Sequence, residues 1–286
     1  MFDEIWATLL AAAQDRQAAL AVLEHEYQAT LDVIHKNWQA IARQLSRSAR
    51  ALAVIPLKKP YHAIPKLSLI GEIYVRHDPI ALQKLNERLA SNGFIVRTAP
   101  NNEWLKYVDW LIRKKIEGTA DLGFWMRYHI KRYFDQQIKK RLAASGLIYQ
   151  GHNGDVEAAI AAGKKFITPN LSGEAILTVG SALHDILEPS CGVISIGPFG
   201  CMPSRLAESI LNEKFTSSEK KALVKSNGHG NGNGRMAALL DNGGKFPFLA
   251  IETDGNAFPQ IIEARLEAFC LQALRLNDQL NGGPDN

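Results

Sequence analysis

Three thiols and a handful of carboxylates at the ends of apolar runs are the side chains whose type and spacing could do chemistry in this chain. Cys201 stands in "VISIGPFGCMPSRLAESIL", between an apolar run that reads as a strand and a periodic run that reads as a helix, with Pro203 suited to the helix's first turn. A thiol there meets the positive end of the following helix, which stabilises thiolate, and a thiolate binds soft metals or attacks electrophiles. Plain packing in a tight Gly-Pro turn is the third option, because free cysteines behave as small hydrophobes. Cys191 begins the same apolar run, and at ~3.3 Å per residue the strand between it and Cys201 spans about 20 Å, which puts the two thiols at opposite edges of any sheet. Cys270, in "IIEARLEAFCLQALRL", shares an apolar helical face with Leu266, Phe269, Ala273 and Leu274 and reads as core.

Glu72, Asp78, Glu252 and Asp254 sit near strand ends, where carboxylates do acid–base work. Asp78 and Asp254 are the catalytic candidates; Glu72 and Glu252 read equally well as sheet residues paired with Arg76 or with a backbone donor. His77 and His152 are isolated, without the His-x-x-His or Glu-x-x-His spacing of a zinc site. The glycine-rich "SNGHGNGNGR" (Ser226–Arg235) lacks the Gly-Lys-Ser/Thr that closes a phosphate loop and reads as a flexible surface segment. Without a nucleotide-hydrolysis motif, no ATPase activity is expected.

The elements that must position these groups are four short β-branched runs: Lys66–Val75, Phe94–Pro100, Cys191–Phe199 and Phe246–Gly255. Each is followed by a helical pattern, which predicts an α/β fold: a doubly wound, mainly parallel, Rossmann-like sheet. In the first unit "DPIALQKLNERLASNG" reads as one helix, with Pro79 near its start and Gly93 as its stop. Ligands of such sheets lie outside the carboxyl ends of the strands. The expected site therefore gathers Arg76, His77 and Asp78; Asn101 and Asn102; Gly197, Pro198, Gly200 and Cys201; and Thr253, Asp254, Gly255 and Asn256. Ahead of this α/β domain (61–286) lies a helical amino-terminal region (1–60). There Leu20, Leu23, Tyr27, Leu31, Ile34, Trp38, Ile41 and Leu45 step by three and four along one long helix that packs on its own domain or docks a partner. A helical insertion over about 103–187 includes "HIKRYFDQQIKKRLAASG", read as a solvated basic face or a patch for a phosphate-bearing ligand.

Composition narrows the class. At 286 residues, one large α/β domain with an attachment or two domains are expected, and 46% hydrophobic against 22% charged residues is ordinary for a globular chain. A net charge of +4 is too small to indicate a nucleic acid. Asp3 and Glu4 stand where a signal peptide would be basic, no apolar run approaches a membrane span, and three cysteines do not make a disulfide framework. The expectation is a cytoplasmic protein with neither nucleic-acid nor membrane partners.

Four blocks taken together, "GEIYVRHD", "GEAILTVG", "GVISIGPFGCMPSRLAESILN" and "PFLAIETDGNAFPQIIEARLEAFCLQA", resemble the carboxy-terminal region of the acyl-CoA dehydratase activase-related proteins, the CoA-substrate-specific enzyme activases. That region is similar in turn to the subunits of 2-hydroxyacyl-CoA dehydratases and benzoyl-CoA reductases. The resemblance implies a Rossmann-like domain whose loop cysteine, matching Cys201, helps ligate a 4Fe-4S-type cluster, with Gly197, Pro198 and Gly200 letting the backbone approach it. It also implies partners: a further dehydratase-like domain or subunit carrying the other ligands, an ATP-dependent activase, and an acyl-CoA. The phosphate motifs of the activase domains and the other cluster cysteines have no counterpart here, so the chain reads as one component of a lyase or low-potential reductase. Two other classes compete: a thiol-redox protein using the Cys201-x-x-Ser204 pair, and a non-catalytic scaffold.

Overall fold

A computed structural model describes residues 1–149, 155–171, 173–185, 190–214 and 246–281. His152 and the Ser226–Arg235 segment lie outside the described residues. In chain order the elements are α1 (Phe2–Ala12), α2 (Arg16–Leu31), α3 (Trp38–Ala53), β1 (Lys66–Gly71), α4 (Pro79–Leu82), α5 (Leu85–Ser91), β2 (Ile95–Thr98), α6 (Asn102–Arg113), α7 (Leu122–Ala143), α8 (Val156–Gly163), α9 (Glu174–Asp185), β3 (Gly192–Pro198), α10 (Met202–Lys214), β4 (Phe248–Thr253) and α11 (Gln260–Asn281). Among the described residues no helix is long and apolar enough to cross a membrane.

The chain forms two compact units: Met1–Ile64 with Leu89–Val96 and Asn102–Asn153, and Pro65–Arg88 with Arg97–Asn101 and Gly154–Asn286. The helices between β2 and β3 are thus shared out, α6 and α7 to the first unit and α8 and α9 to the second.

In the helical unit the apolar series from Leu20 to Leu45 is broken into two helices. The Asn37 side chain accepts the Ala40 N–H at 3.0 Å and starts α3 afresh, so Leu23 and Leu45 face one core with Ile5, Leu9, Leu52, Leu142 and Leu147 while Ile34 is left exposed. A polar knot ties α2 to α3. Ser48 donates to the Glu26 carboxylate at 2.7 Å and Gln44 donates to it at 3.1 Å, all three side chains being buried. Side-chain pairs join α6 to α7: Arg113 to the Tyr128 hydroxyl, Lys131 to Asp109, and Lys106 to Asp135.

In the α/β unit the strands lie in the order β2-β1-β3-β4, all parallel. Leu67 pairs with Gly192 and Gly71 with Ile196; Val193 pairs with Phe248 and Pro198 with Thr253. The burial follows from the topology: β1 is buried at every position and β3 at every position before Pro198, Lys66, Ser68 and Ser195 included, because both faces are covered. From β1 the chain crosses outward to β2, and from β3 outward to β4 in the other direction. With the right-handed crossovers that parallel sheets take, this order sets the two sets of helices on opposite faces and winds the sheet doubly. α9 and α10 pack side by side, and a bidentate Arg88–Glu263 ion pair ties α5 to α11.

Two local expectations fail for identifiable reasons. β1 stops at Gly71 (φ 118°), not Val75, because the Glu72 carboxylate turns back to accept the Tyr74 and Val75 N–H groups at 3.1 and 2.7 Å and folds Glu72–Arg76 into a helical turn. The helix after Pro79 breaks at Gln83 and Lys84, both left-handed, where the Gln83 amide donates to the Ile80 and Gly255 carbonyls.

Candidate functional site at the carboxyl edge of the sheet

The strand order reverses between β1 and β3, and the crevice of such a sheet opens at that point, beyond the carboxyl ends. The loops there are cross-tied. Glu72 N–H donates to the Ile196 carbonyl at 2.9 Å, Phe199 N–H to Thr253 at 3.1 Å, and the Gln83 amide to Gly255 at 2.9 Å, which brings the loops after β1 and β4 together. Arg76, buried, donates to the Gly71 and Pro100 carbonyls at 3.0 and 3.3 Å and so braces the ends of β1 and β2. His77 Nε2 lies 3.1 Å from the Ala99 carbonyl oxygen.

Cys201 closes a β-turn at the end of β3. Its N–H donates to the Pro198 carbonyl at 3.1 Å, and Gly200 occupies the third position with φ 72°, the left-handed conformation that favours glycine. Its own carbonyl accepts the Arg205 N–H at 3.0 Å, so Cys201 is the residue that opens α10. The turn is held from β4: the Glu252 carboxylate accepts the Gly200 N–H at 3.2 Å and pairs at 3.0 Å with Arg205, which also pairs with Glu208. Gly197 has a packing role, since a Cβ there would run into Ser204 of α10.

The carboxylates named from sequence are occupied. Asp78 caps α4, accepting the Ile80 and Ala81 N–H groups at 3.3 and 3.2 Å. Asp254 accepts the Asn256 side-chain amide at 2.9 Å and its backbone N–H at 3.0 Å, bonds that hold this carboxyl below the usual carboxylate range. Asn101 follows β2 in this unit, whereas Asn102 begins α6 in the helical unit and donates to Asp135.

The thiols divide by place. Cys201 is half-buried at the carboxyl edge. Cys191 is buried at the other end of β3, its thiol donating to the Lys66 carbonyl at 3.1 Å. Cys270 is buried on α11, and desolvation pushes its thiol up to about 11 from 9.0. Unforeseen from sequence is an apolar rim: Phe199 and Tyr74 are 78% and 73% exposed, and Ile80 and Met202, on the helices that follow those loops, are exposed too. Its one sequence signal is that Phe199 and Met202 put large apolar residues around a Gly turn, where polar ones are usual; Tyr74 was hidden inside an apparent strand.

Comparison of the chain with protein-family models, with curated proteins and with solved structures gave no match. The described residues contain no group of three or more His, Cys, Asp or Glu placed to hold a metal ion. A 4Fe-4S cluster normally takes three or four protein ligands, and this edge offers the single thiol of Cys201. A complete cluster does not fit the donors described in this chain.

Proposed function

We propose that this chain is a component of a 2-hydroxyacyl-CoA dehydratase or acyl-CoA reductase-like system in the cytoplasm, contributing one thiolate, Cys201, to a 4Fe-4S-type cluster whose other ligands come from a further domain or subunit. The observation that carries the reading is the segregation of the cysteines: Cys201 alone stands at the carboxyl edge, half-buried on a hydrogen-bonded turn, while Cys191 and Cys270 are buried elsewhere. Such a turn holds a ligand atom in place, and the surrounding apolar side chains fit a contact from which water is excluded. The cluster would supply the low-potential electron chemistry. Asp78 and Asp254, tied up as caps, are not assigned a proton-transfer role.

The test is anaerobic co-expression with the product of the neighbouring gene, followed by iron analysis and electron paramagnetic resonance of the purified complex. Native complex should carry the cluster, Cys201→Ser should lose iron or shift the signal, and Cys191→Ser and Cys270→Ser should retain iron per folded protein. Full iron with an unchanged spectrum in Cys201→Ser rejects the reading. The thiol-redox alternative has less support, because Ser204 packs into the space beside Gly197.

A further inference from the structure

We propose that the outer face of α7 is a docking surface for an acidic amphipathic helix of a partner protein. The inference concerns the helical unit and does not depend on what Cys201 holds.

α7 is apolar on two faces. The inner one is accounted for: Phe124 and Leu142 are buried, Phe134 packs edge-on against Trp38 at 4.6 Å, and Ile138 lies against the unit's core. The outer one is not. Leu122, Met126, Ile130 and Tyr133 follow at intervals of four, four and three, one ridge along the helix, and all four are exposed, Leu122 by 86% and Met126 by 61%. Trp125 flanks the ridge, also exposed, with its ring stacked on His129 at 6.2 Å. A helix serving only its own bundle would be polar on that side.

Charge selects the occupant. α7 carries six basic residues (Arg127, Lys131, Arg132, Lys139, Lys140, Arg141) against one acidic residue, Asp135, whereas the entire chain has an excess of +4. The positive charge is therefore concentrated on this helix. Lys131 pairs with Asp109 and Arg141 lies over the Trp38 ring, but Arg127, Arg132 and Lys140 have no acidic partner among the described residues. On a helical projection, Arg127 falls on one side of the ridge and Arg132 on the other. A second copy of the chain would bring like charge to this face and is disfavoured. A ridge spaced by four and three fits the groove of another helix, and basic flanks call for carboxylates beside that helix's apolar seam.

The full chain is titrated with three probes: a Leu/Glu-rich amphipathic peptide of about 20 residues, long enough to form a helix, the same residues scrambled to abolish the seam, and phosphatidylcholine vesicles containing phosphatidylglycerol. The patterned peptide should bind and the scrambled one should not, with affinity falling as salt rises from about 0.05 M to about 0.5 M. Met126→Glu with Ile130→Glu, and separately Arg127→Glu with Arg132→Glu, should each weaken binding about tenfold or more without lowering the melting temperature. The proposal is overturned by equal binding of both peptides, by vesicle binding without peptide binding, by binding of neither probe, or by self-association of the native chain that the Met126/Ile130 variant removes.

Discussion

The carboxyl edge of the sheet and the outer face of α7 both show large apolar side chains to solvent, yet they are built by different physics. At the sheet edge the positions come from hydrogen bonds made one at a time, most of them between a side chain and the backbone: Gly200 N–H to Glu252, Phe199 N–H to Thr253, Gln83 to Gly255, Arg76 to Gly71 and Pro100. On α7 they come from the period of a helix and need no special contact. A network of single bonds can place one side chain accurately and loosens where one bond is lost. A periodic face tolerates change at any one residue and recognises a partner only in the aggregate.

That contrast can be broken by substitution. The largest loss should come from Gly71→Ala. The residue has φ 118°, and a Cβ there would collide with the Ile196 carbonyl on the neighbouring strand, so a loss of about 3 kcal/mol or more is expected. Chemical denaturation followed by far-ultraviolet circular dichroism reads it, and a loss below about 1 kcal/mol would show that the β1–β3 junction yields easily. All five tryptophans, Trp6, Trp38, Trp104, Trp110 and Trp125, belong to the helical unit, so fluorescence in the same titration follows that unit separately.

Next is Cys270→Ser, expected to cost about 1–3 kcal/mol by placing a hydroxyl on a buried apolar face. The thiol also has a pH signature. Its folded value, about 11, is above its ordinary 9.0, so its contribution is fully present below 9.0 and is lost as pH rises toward about 11, where the unfolded chain gives up the proton first. The stability gap between native protein and Cys270→Ala should therefore shrink across that interval; a constant gap would contradict the burial of this thiol.

Glu252→Gln should have a smaller effect, about 1 kcal/mol, since it weakens the bond to Gly200 and removes the Arg205 pair, which is partly exposed. Its sharper readout is the Cys201 alkylation rate, expected to rise as the turn loosens; an unchanged rate would mean that the backbone holds the turn unaided. The smallest effect belongs to α7, where Ile130→Gln should shift stability by no more than about 0.5 kcal/mol in either direction. A larger loss would mean that the ridge is covered within the folded chain.

Much of the α/β unit was legible before the fold was known. Strands recurring before helical patterns are enough to dictate a parallel, doubly wound sheet, because a parallel pair needs a crossover and both faces must be covered. The separation of Cys191 from Cys201 followed from strand length alone, and the buried face of Cys270 from helical period. Less legible was where periodic segments stop. The Leu20–Leu45 seam keeps its spacing across Asn37, but a cap satisfying the first N–H groups of α3 outweighs the continuing pattern. At Glu72 a side chain folding onto its own backbone outweighs an apparent strand.

What the residues determined by themselves is what depends on neighbours in the chain: the number and type of strands, the turn that Gly200 and Pro198 make around Cys201, and the concentration of charge on α7. Tertiary structure decided what depends on groups distant in sequence. Asp78 caps its own short helix, a contact between chain neighbours, but Glu252 reaching Gly200, and Arg76 reaching Pro100, join strands whose adjacency no local pattern encodes. The same holds for the two faces of α7. Periodicity shows that a helix has apolar residues all round, and only the packed bundle shows which of them its own core covers, because burial is a property of the whole fold and not of the segment.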